Sequence, residues 1–203
     1  MSILSTFGRL IFARRLYVGL AVALIGLEVL SPKPFLERPY LFAQMLGLVT
    51  IALGLALRAW GSGCAGTHTR SASIEAKHLV TGGPFAYVRN PIYLGSIFLG
   101  VGMSAVIGDP LAYVLTVITF CGLYFGIVPA EEEHLAHTFG AEYERYREAV
   151  PRLIPRLQPW AGRTENPFRW NAARGELFIA SLLVAIYLAL HLEEYLDRIF
   201  PWA

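Results

Sequence analysis

Residues 91–129 read PIYLGSIFLGVGMSAVIGDPLAYVLTVITFCGLYFGIVP, and Asp109 is the single charged residue among them. Two apolar segments, Ile92 to Ile107 and Leu111 to Val128, flank the short turn Gly108-Asp109-Pro110. Asp can cap a helix and Pro suits the first helical position, so the turn can begin the second helix. Each segment approaches the ~20 apolar residues that cross the ~30 Å hydrocarbon core of a bilayer. The stretch therefore predicts a tight hairpin of two membrane-spanning helices.

Three more apolar segments lie outside this hairpin, from Leu16 to Leu30, from Leu41 to Trp60, and from Leu177 to Leu192. The composition agrees, because 55% of the 203 residues are hydrophobic and 16% are charged, whereas soluble domains are typically about 25% charged. We therefore predict an all-α, polytopic membrane protein with about five transmembrane helices.

Basic residues are distributed unevenly about these five segments. All 17 Lys and Arg except Lys33, Arg38 and Arg198 fall on the side that carries the N-terminus and the long connections, residues 61–90 and 129–176. The positive-inside rule places that side in the cytoplasm and the C-terminus outside. A net charge of only +2 leaves no electrostatic footprint for nucleic acid.

The first long connection ends in KHLVTGGPFAYVRNPIYLG, residues 77–95. A purely structural interpretation is a Gly-Pro turn followed by Asn90 as the cap and Pro91 as the first residue of a helix. That interpretation leaves the aromatic and basic residues around the turn unexplained. The alternative is a polar site at the membrane surface.

The second long connection begins with three consecutive acids, Glu131 to Glu133. Negative charge is unfavourable at a helix C-terminus, so either the helix continues as a solvated extension or a carboxylate pair binds a cation. Farther on, Tyr143 and Tyr146 are three residues apart and share a helix face. That helix is either an amphipathic surface helix or one wall of a ligand pocket.

No metal site is predicted. Glu131 and His134 have the spacing of a di-iron ligand pair, but that spacing alone does not make a metal site. Cys64 and Cys121 are not expected to pair. The glycine-rich run from Gly61 to Gly66 lacks the features of a phosphate loop, and we interpret it as a flexible exit from the second apolar segment.

Two motifs together resemble those of a known family. GGPFAYVRNPIYLG, residues 82–95, and EEEHLAHTFGAEYERYREAVPRLIP, residues 131–155, resemble the isoprenylcysteine carboxyl methyltransferase and phospholipid methyltransferase group. The family pattern is Arg-His-Pro-x-Tyr-x-Gly, and Asn90 stands here in place of the His. The paired glutamates of the family correspond to Glu131 and Glu132, which makes Glu133 an additional acid.

The resemblance implies S-adenosylmethionine as the methyl donor, held on the cytoplasmic side in a pocket formed by the hairpin and the two long polar segments. Arg89 and Glu132 are the implied catalytic residues. The implied cofactor-binding residues are His78, Leu79, Val80, Tyr87, Arg89, Asn90, Pro91, Tyr93, Glu131, Glu132 and Tyr143. The catalytic region then occupies residues 61–160, between N-terminal helices in residues 1–60 and a C-terminal extension in residues 161–203.

We expect an amphiphilic or lipid-like acceptor that enters from the bilayer, with membrane lipids as the surroundings and the inner membrane of a bacterium or an archaeon as the location. Direct displacement onto a carboxylate needs no general base, which favours a carboxylate or an already neutral acceptor. Two other functions stay open at this point, an NADPH-dependent sterol or lipid reductase and a non-enzymatic lipid-binding or transport protein. The sequence does not indicate an oligomeric state.

Overall fold

The computed structural model describes residues 41–66 and 78–176, with the isolated positions 25, 178 and 181. The predicted segments Leu16 to Leu30 and Leu177 to Leu192 fall outside the described residues except at those positions. The described ranges contain helices and connecting segments and no strand, which confirms the all-α prediction for this part of the chain.

Five α-helices follow one another in the described ranges, with one turn of 3₁₀ helix, Gly83–Ala86, ahead of the second. They are α1 (Leu41–Ala65), α2 (Pro91–Ile107), α3 (Pro110–Gly122), α4 (Val128–Phe139) and α5 (Ala141–Ala149). Residues 170–176 are also helical. Leu41–Ala65 and the continuous helix Pro110–Phe139 are long and apolar enough to cross a membrane, and Pro91–Ile107 is apolar but shorter. Two of the described helices therefore have the length and composition of membrane spans.

The turn between α2 and α3 has the predicted geometry. Gly108 ends α2 in the left-handed region, with φ of 67°, a conformation that glycine adopts without a Cβ penalty. The Asp109 carboxylate accepts a hydrogen bond from the Leu111 N–H at 2.8 Å, and Pro110 is the first residue of α3. The hairpin and its cap are therefore confirmed.

We expect Asp109→Ala to lower the free energy of unfolding by about 1 kcal/mol, because the cap satisfies an N–H that has no partner within the helix. Unfolding of the detergent-solubilised protein, followed by circular dichroism, would measure this loss. Asp109→Asn is the matched control, since its side-chain oxygen can still accept the bond. Equal losses in the two variants would show that the cap is not the cause.

The helix that begins at Pro110 continues past Val128 to Phe139, which is one of the alternatives that the sequence left open. One π-helical turn, Leu123–Ile127, connects α3 to α4, and the Val128 N–H donates to the Leu123 carbonyl. Pro129 has no N–H to donate, and its ring would clash with the carbonyl four residues earlier in a regular α-helix. The wider turn accommodates the proline. Glu131 to Glu133 consequently lie inside a continuing helix, which removes the unfavourable C-terminal placement.

Glycines allow α1 and α2 to pack backbone against backbone. A Cβ added at Gly54 would lie 2.7 Å from the Gly95 carbonyl oxygen, and one added at Gly47 would lie 2.7 Å from that of Gly102. Small residues at helix contacts are typical of membrane proteins, where close approach supplies the packing energy. Gly95 is the final glycine of the Arg-Asn-Pro-x-Tyr-x-Gly motif, so its place in the motif has a packing reason.

The glycine-rich run is not the predicted flexible exit. Residues 61–65 continue α1 and are buried, and Gly66 then ends the helix with φ of 77°. Phe168 occupies the space that a side chain at Gly63 would need, and the Arg169 N–H donates to the Gly63 carbonyl at 2.9 Å. The absence of a side chain at Gly63 therefore lets the segment that contains Phe168 and Arg169 pack against α1.

A buried ion pair attaches residues 170–176 to α1. Arg58 lies within α1, and its Nε donates to Glu176 Oε2 at 2.8 Å. The Ser62 hydroxyl donates to Glu176 Oε1 at 3.1 Å, and Arg58 also donates to the Ser96 hydroxyl on α2. These bonds hold the end of α1 against the start of α2. The turn that contains Arg89 and Asn90 directly precedes α2.

Candidate active site

The segment that follows α5 folds back along the turn that precedes α2. The Arg89 N–H donates to the Pro151 carbonyl at 2.9 Å, and the N–H groups of Arg156 and Trp160 donate to the carbonyls of Tyr87 and Ala86. Since residues 150–160 are not helical, their backbone groups need partners elsewhere, and the turn supplies them. This pairing brings two sequence motifs, some 60 residues apart, into direct contact.

The two tyrosines of α5 stabilise the contact between the turn and the segment that follows α5. Tyr143 and Tyr146 are both buried and pack with Leu79 and Val150 in one core cluster. The Tyr146 hydroxyl donates to the Phe85 carbonyl at 2.8 Å. The predicted shared face of the helix is thus confirmed, and it faces the interior rather than solvent.

Glu132 is the centre of the polar cluster. Its side chain is 6% exposed, yet it meets three donor side chains. Asn90 Nδ2 donates to Oε1 at 3.2 Å, while Arg152 donates to Oε2 from Nε at 3.0 Å and from Nη2 at 2.6 Å. Arg89 Nη1 lies 3.4 Å from Oε1. A buried carboxylate is stable only when it is paired in this way.

Asn90 occupies the N-cap position of α2, and its backbone carbonyl accepts a hydrogen bond from the Leu94 N–H at 3.0 Å. Its side chain makes no cap hydrogen bond and instead bridges Glu132 and the Arg152 carbonyl, which accepts at 3.2 Å. The buried carboxylate of Glu132 needs hydrogen-bond donors. The start of α2 needs an acceptor less, because Pro91, its first residue, has no N–H. The hydrogen-bonding role expected at this family position is therefore filled by an amide.

Arg89 and Tyr143 carry buried donors that lack partners. In the described ranges, Arg89 Nε, Arg89 Nη1 and the Tyr143 hydroxyl are buried and accept or donate no hydrogen bond. The 3.4 Å approach of Nη1 to Glu132 is an ion pair without the alignment of a hydrogen bond. Burial raises the pKa of Tyr143 to about 12, and the negative charge of Glu132 acts in the same direction. Unsatisfied buried donors are rare in proteins, and a ligand's oxygen atoms would satisfy these.

Glu131 points to a different partner. Its Oε1 accepts a hydrogen bond from the Tyr93 hydroxyl at 2.9 Å, which connects α4 to the first turn of α2. The two adjacent acids therefore differ in surroundings, since Glu132 is held by cations and an amide and Glu131 is held by a neutral hydroxyl.

The other predicted site residues lie around this cluster. Leu79 is buried in the tyrosine core, Val80 is half-buried and His78 is exposed. The Tyr87 ring packs against Trp60 of α1 with centroids 6.2 Å apart, away from the contacts made by Glu132. Pro91 is buried at the first position of α2. The structure thus gathers Arg89, Asn90, Tyr93, Glu131, Glu132 and Tyr143, and it leaves His78 and Tyr87 outside their direct contacts.

Arg152 is a site residue that the sequence reasoning missed. Its guanidinium binds Glu132 and lies over the Tyr124 ring, 5.7 Å from the centroid. The hydrogen bonds that Arg152 donates to Glu132 raise the pKa of Arg152 above its usual range. The signal for it was indirect: a buried acid requires a cation, and Arg152 follows Pro151 within the second motif.

A small cleft with a volume of about 10 Å³ lies beside Arg152. Asn90 and Arg152 form its polar end, and side chains of α2, of α3 and of the π-helical turn form its apolar wall, including Ile97, Phe120 and Leu123. No group of three or more His, Cys, Asp or Glu side chains is placed to hold a metal ion in the part of the chain that the structure covers.

Comparison with known proteins identifies the family. The family model described as phospholipid methyltransferase matches residues 42–142. A probable protein-S-isoprenylcysteine O-methyltransferase of Oryza sativa subsp. japonica is 30% identical over 125 residues, 60% of this chain and 65% of the relative. The protein-S-isoprenylcysteine O-methyltransferase of Mus musculus is 29% identical over 113 residues, 54% of this chain and 40% of that protein.

A third relative, protein-S-isoprenylcysteine O-methyltransferase B of Arabidopsis thaliana, is 28% identical over 145 residues, 68% of this chain and 74% of the relative. The chain thus spans about two fifths to three quarters of the length of these relatives. No solved structure matches it. The matched region contains both acids, the Arg-Asn-Pro motif and Tyr93 but ends before Arg152. The chain belongs to the phospholipid methyltransferase family, in the group that includes the protein-S-isoprenylcysteine O-methyltransferases.

Proposed function

We propose that this protein is a membrane-embedded methyltransferase that uses S-adenosylmethionine and moves its methyl group to an amphiphilic acceptor. One observation carries the proposal: the buried acid Glu132 lies beside Arg89, and buried donors of Arg89 and Tyr143 make no hydrogen bond within the described residues. Two partners of Glu132, Asn90 and Arg152, also line a small cleft with an apolar wall. Polar groups of both signs next to an apolar surface suit a charged donor and a lipid-like acceptor.

The side chains present fit the charges of this donor. Its ammonium can bind Glu131 or Glu132 through charge-assisted hydrogen bonds. Its carboxylate can accept hydrogen bonds from the buried N–H groups of Arg89 and from the Tyr143 hydroxyl, which make no hydrogen bond within the described residues. Tyr93, which bonds to Glu131, adds an aromatic face for a sulfonium cation. The fit rests on unsatisfied donors in the structure and not on the family resemblance alone.

S-Adenosylmethionine supplies an electrophilic methyl group on a positively charged sulfur. An acceptor carboxylate oxygen forms a bond to the methyl carbon as the carbon–sulfur bond breaks, and the products are a methyl ester and a neutral thioether. No proton moves, so the cluster needs no general base. The protein's part is to hold the two reactants in line and to exclude water. The buried guanidinium of Arg89 favours the first, and the apolar wall of the cleft favours the second.

The membrane arrangement supports the same proposal. We assign catalysis to residues 61–160, flanked by N-terminal helices in residues 1–60 and a C-terminal extension in residues 161–203. The excess of Lys and Arg in residues 61–90 and 129–176 favours a cytoplasmic position for the site, where the methyl donor is present. The acceptor then enters from the bilayer, and the inner membrane of a bacterium or an archaeon is the proposed location.

Calorimetry on the detergent-solubilised protein tests the proposal. S-Adenosylhomocysteine, the demethylated donor, should bind in a saturable manner, and NADPH at the same concentration should not. Incubation with methyl-labelled S-adenosylmethionine and a lipid extract should then label a membrane-derived product that mass spectrometry identifies. Folded protein that binds neither S-adenosylhomocysteine nor NADPH would refute the methyltransferase assignment. Binding of NADPH alone would indicate a reductase.

A further inference from the structure

The segment that follows α5 exposes two large apolar side chains, Ile154 and Leu157. Ile154 is 80% exposed and Leu157 is 99% exposed. Both belong to the non-helical segment that is hydrogen-bonded to the turn before α2, so their backbone has a fixed place beside the candidate site. A single exposed apolar residue is ordinary at a protein surface, but two of them three residues apart form an apolar projection. We refer to residues 153–157 as the 153–157 loop.

The 153–157 loop meets the membrane hairpin below the end of its apolar surface. Leu153 lines the same small cleft as Leu123. Leu123 stands five residues before Val128, the last residue of the apolar segment, which is about 7.5 Å at the rise of a helix. At this level of the hairpin Phe125 is 74% exposed. The apolar side chains of the loop are therefore continuous with a surface that is expected to face lipid.

The backbone of this segment suits the interfacial region of a bilayer and not its hydrocarbon core. Non-helical backbone exposed to hydrocarbon would leave polar groups unpaired. Prolines occupy positions 151, 155 and 159 and have no N–H, while the N–H groups of Arg156 and Trp160 donate to carbonyls of the turn. These features reduce the number of N–H groups that need a partner, and water and headgroups can bond to the remainder.

The charges around the loop favour an anionic partner. Residues 149–164 contain three arginines and no acid, and the nearest acids along the chain are Glu148 and Glu165. Long basic side chains can reach headgroups while neighbouring apolar side chains lie deeper. Basic segments next to membrane helices are attracted to anionic phospholipids in the same way. A bilayer surface with anionic headgroups complements both the apolar and the basic side chains of this segment.

We propose that the 153–157 loop inserts into the leaflet on the side of the candidate site, with Ile154 and Leu157 at the boundary of the acyl chains and the arginines at anionic headgroups. This inference rests on the membrane hairpin and not on the methyltransferase activity. It gives the protein a second contact with the bilayer beside its spanning helices. Since Arg152 directly precedes the loop and binds Glu132, the bilayer surface would help to hold the polar cluster.

The experiment places a nitrobenzoxadiazole fluorophore on single cysteines of the full-length protein in phosphatidylcholine nanodiscs, with and without phosphatidylglycerol. Cys121→Ala removes the exposed cysteine, and the remaining Cys64 is buried. Leu157→Cys and Ile154→Cys carry the fluorophore in turn. Glu148→Cys is the matched control, because it is exposed on α5 and receives the same fluorophore. All three positions are exposed, so circular dichroism should show an unchanged fold.

Two quenchers report whether each fluorophore lies in water or in lipid. Aqueous iodide should quench the fluorophores at 154 and 157 at least about threefold less than the one at 148, since interfacial apolar groups lie about 5–10 Å into the headgroup and acyl-chain boundary. Phospholipids with brominated acyl chains should quench at 154 and 157 and not at 148. Phosphatidylglycerol should strengthen this quenching, and high salt should remove the increase.

Three results would overturn the inference. Fluorophores at 154 and 157 that iodide quenches as strongly as the one at 148 would place the loop in water. Fluorophores shielded from both quenchers would show that protein covers the loop, either a second copy or another segment of this chain. Brominated-lipid quenching that phosphatidylglycerol does not change would refute the contact between the arginines and anionic headgroups. The measurements need no methyl donor, so their outcome is independent of the methyltransferase assignment.

Discussion

Glu132→Gln should abolish measurable S-adenosylhomocysteine binding and reduce methyl transfer at least about 100-fold, the scale expected when a charged contact to the reacting complex is lost. The substitution keeps the size of the side chain and removes its charge. Arg89 and Arg152 would then share a buried neutral amide in place of a carboxylate. Calorimetry with S-adenosylhomocysteine and transfer from the labelled donor would measure the two losses.

The same substitution should also destabilise the fold. Removing one partner of a buried ion pair typically costs about 3–5 kcal/mol, because the remaining charge stays buried without compensation. The cost should fall toward the lower end of this range, since the Arg152 side chain is a third exposed and can turn to solvent. Thermal unfolding in detergent, with circular dichroism as the readout, would separate this loss from the loss of binding.

Glu133→Gln is the matched control for Glu132→Gln. Glu133 is the next residue on α4 and is exposed, so it loses the same charge without losing a buried partner. Its variant should keep donor binding within about twofold and should unfold as wild type does, as surface substitutions usually do. Equal effects of the two variants would mean that general negative charge, and not the Glu132 cluster, binds the donor.

Local signals in the sequence were sufficient for the hairpin of α2 and α3. The apolar run that ends at Ile107, the Gly108 stop and the Asp109-Pro110 start each act within a few residues of where they stand. The free energy that stabilises each helix end comes from the backbone of the same segment. No distant partner therefore changes where these helix ends form. For the same reason the shared face of Tyr143 and Tyr146 could be predicted from spacing alone.

The predictions that failed depended on partners far along the chain. The Asn90 side chain would cap a helix in isolation, but it bonds to Glu132 and Arg152, which stand 42 and 62 residues later. The glycine-rich end of α1 would be flexible alone, but Phe168 and Arg169 pack against Gly63. Arg152 was missed because its importance comes only from contact with Glu132. Tertiary contact therefore decides the polar site, whereas local chemistry decides the membrane helices.

The second large effect is expected from Gly54→Val, which we predict to destabilise the protein by at least about 1–3 kcal/mol, the usual cost of overpacking. The Cβ alone would lie 2.7 Å from the Gly95 carbonyl oxygen and 3.0 Å from the Leu99 nitrogen. Both atoms belong to the backbone and cannot rotate away, so α1 and α2 must separate. Thermal unfolding in detergent would measure the loss.

Separation of these helices should also weaken the candidate site. Gly95 is one turn from Pro91, and Arg89 and Asn90 directly precede that proline, so a displaced α2 carries them away from Glu132. We therefore expect Gly54→Val to bind S-adenosylhomocysteine more weakly at temperatures where the variant is still folded. Gly122→Ala is the matched control, because no atom lies within 4 Å of a Cβ at Gly122 and alanine is the better helix former. If Gly122→Ala were as damaging as Gly54→Val, close packing of α1 on α2 would not explain the effect.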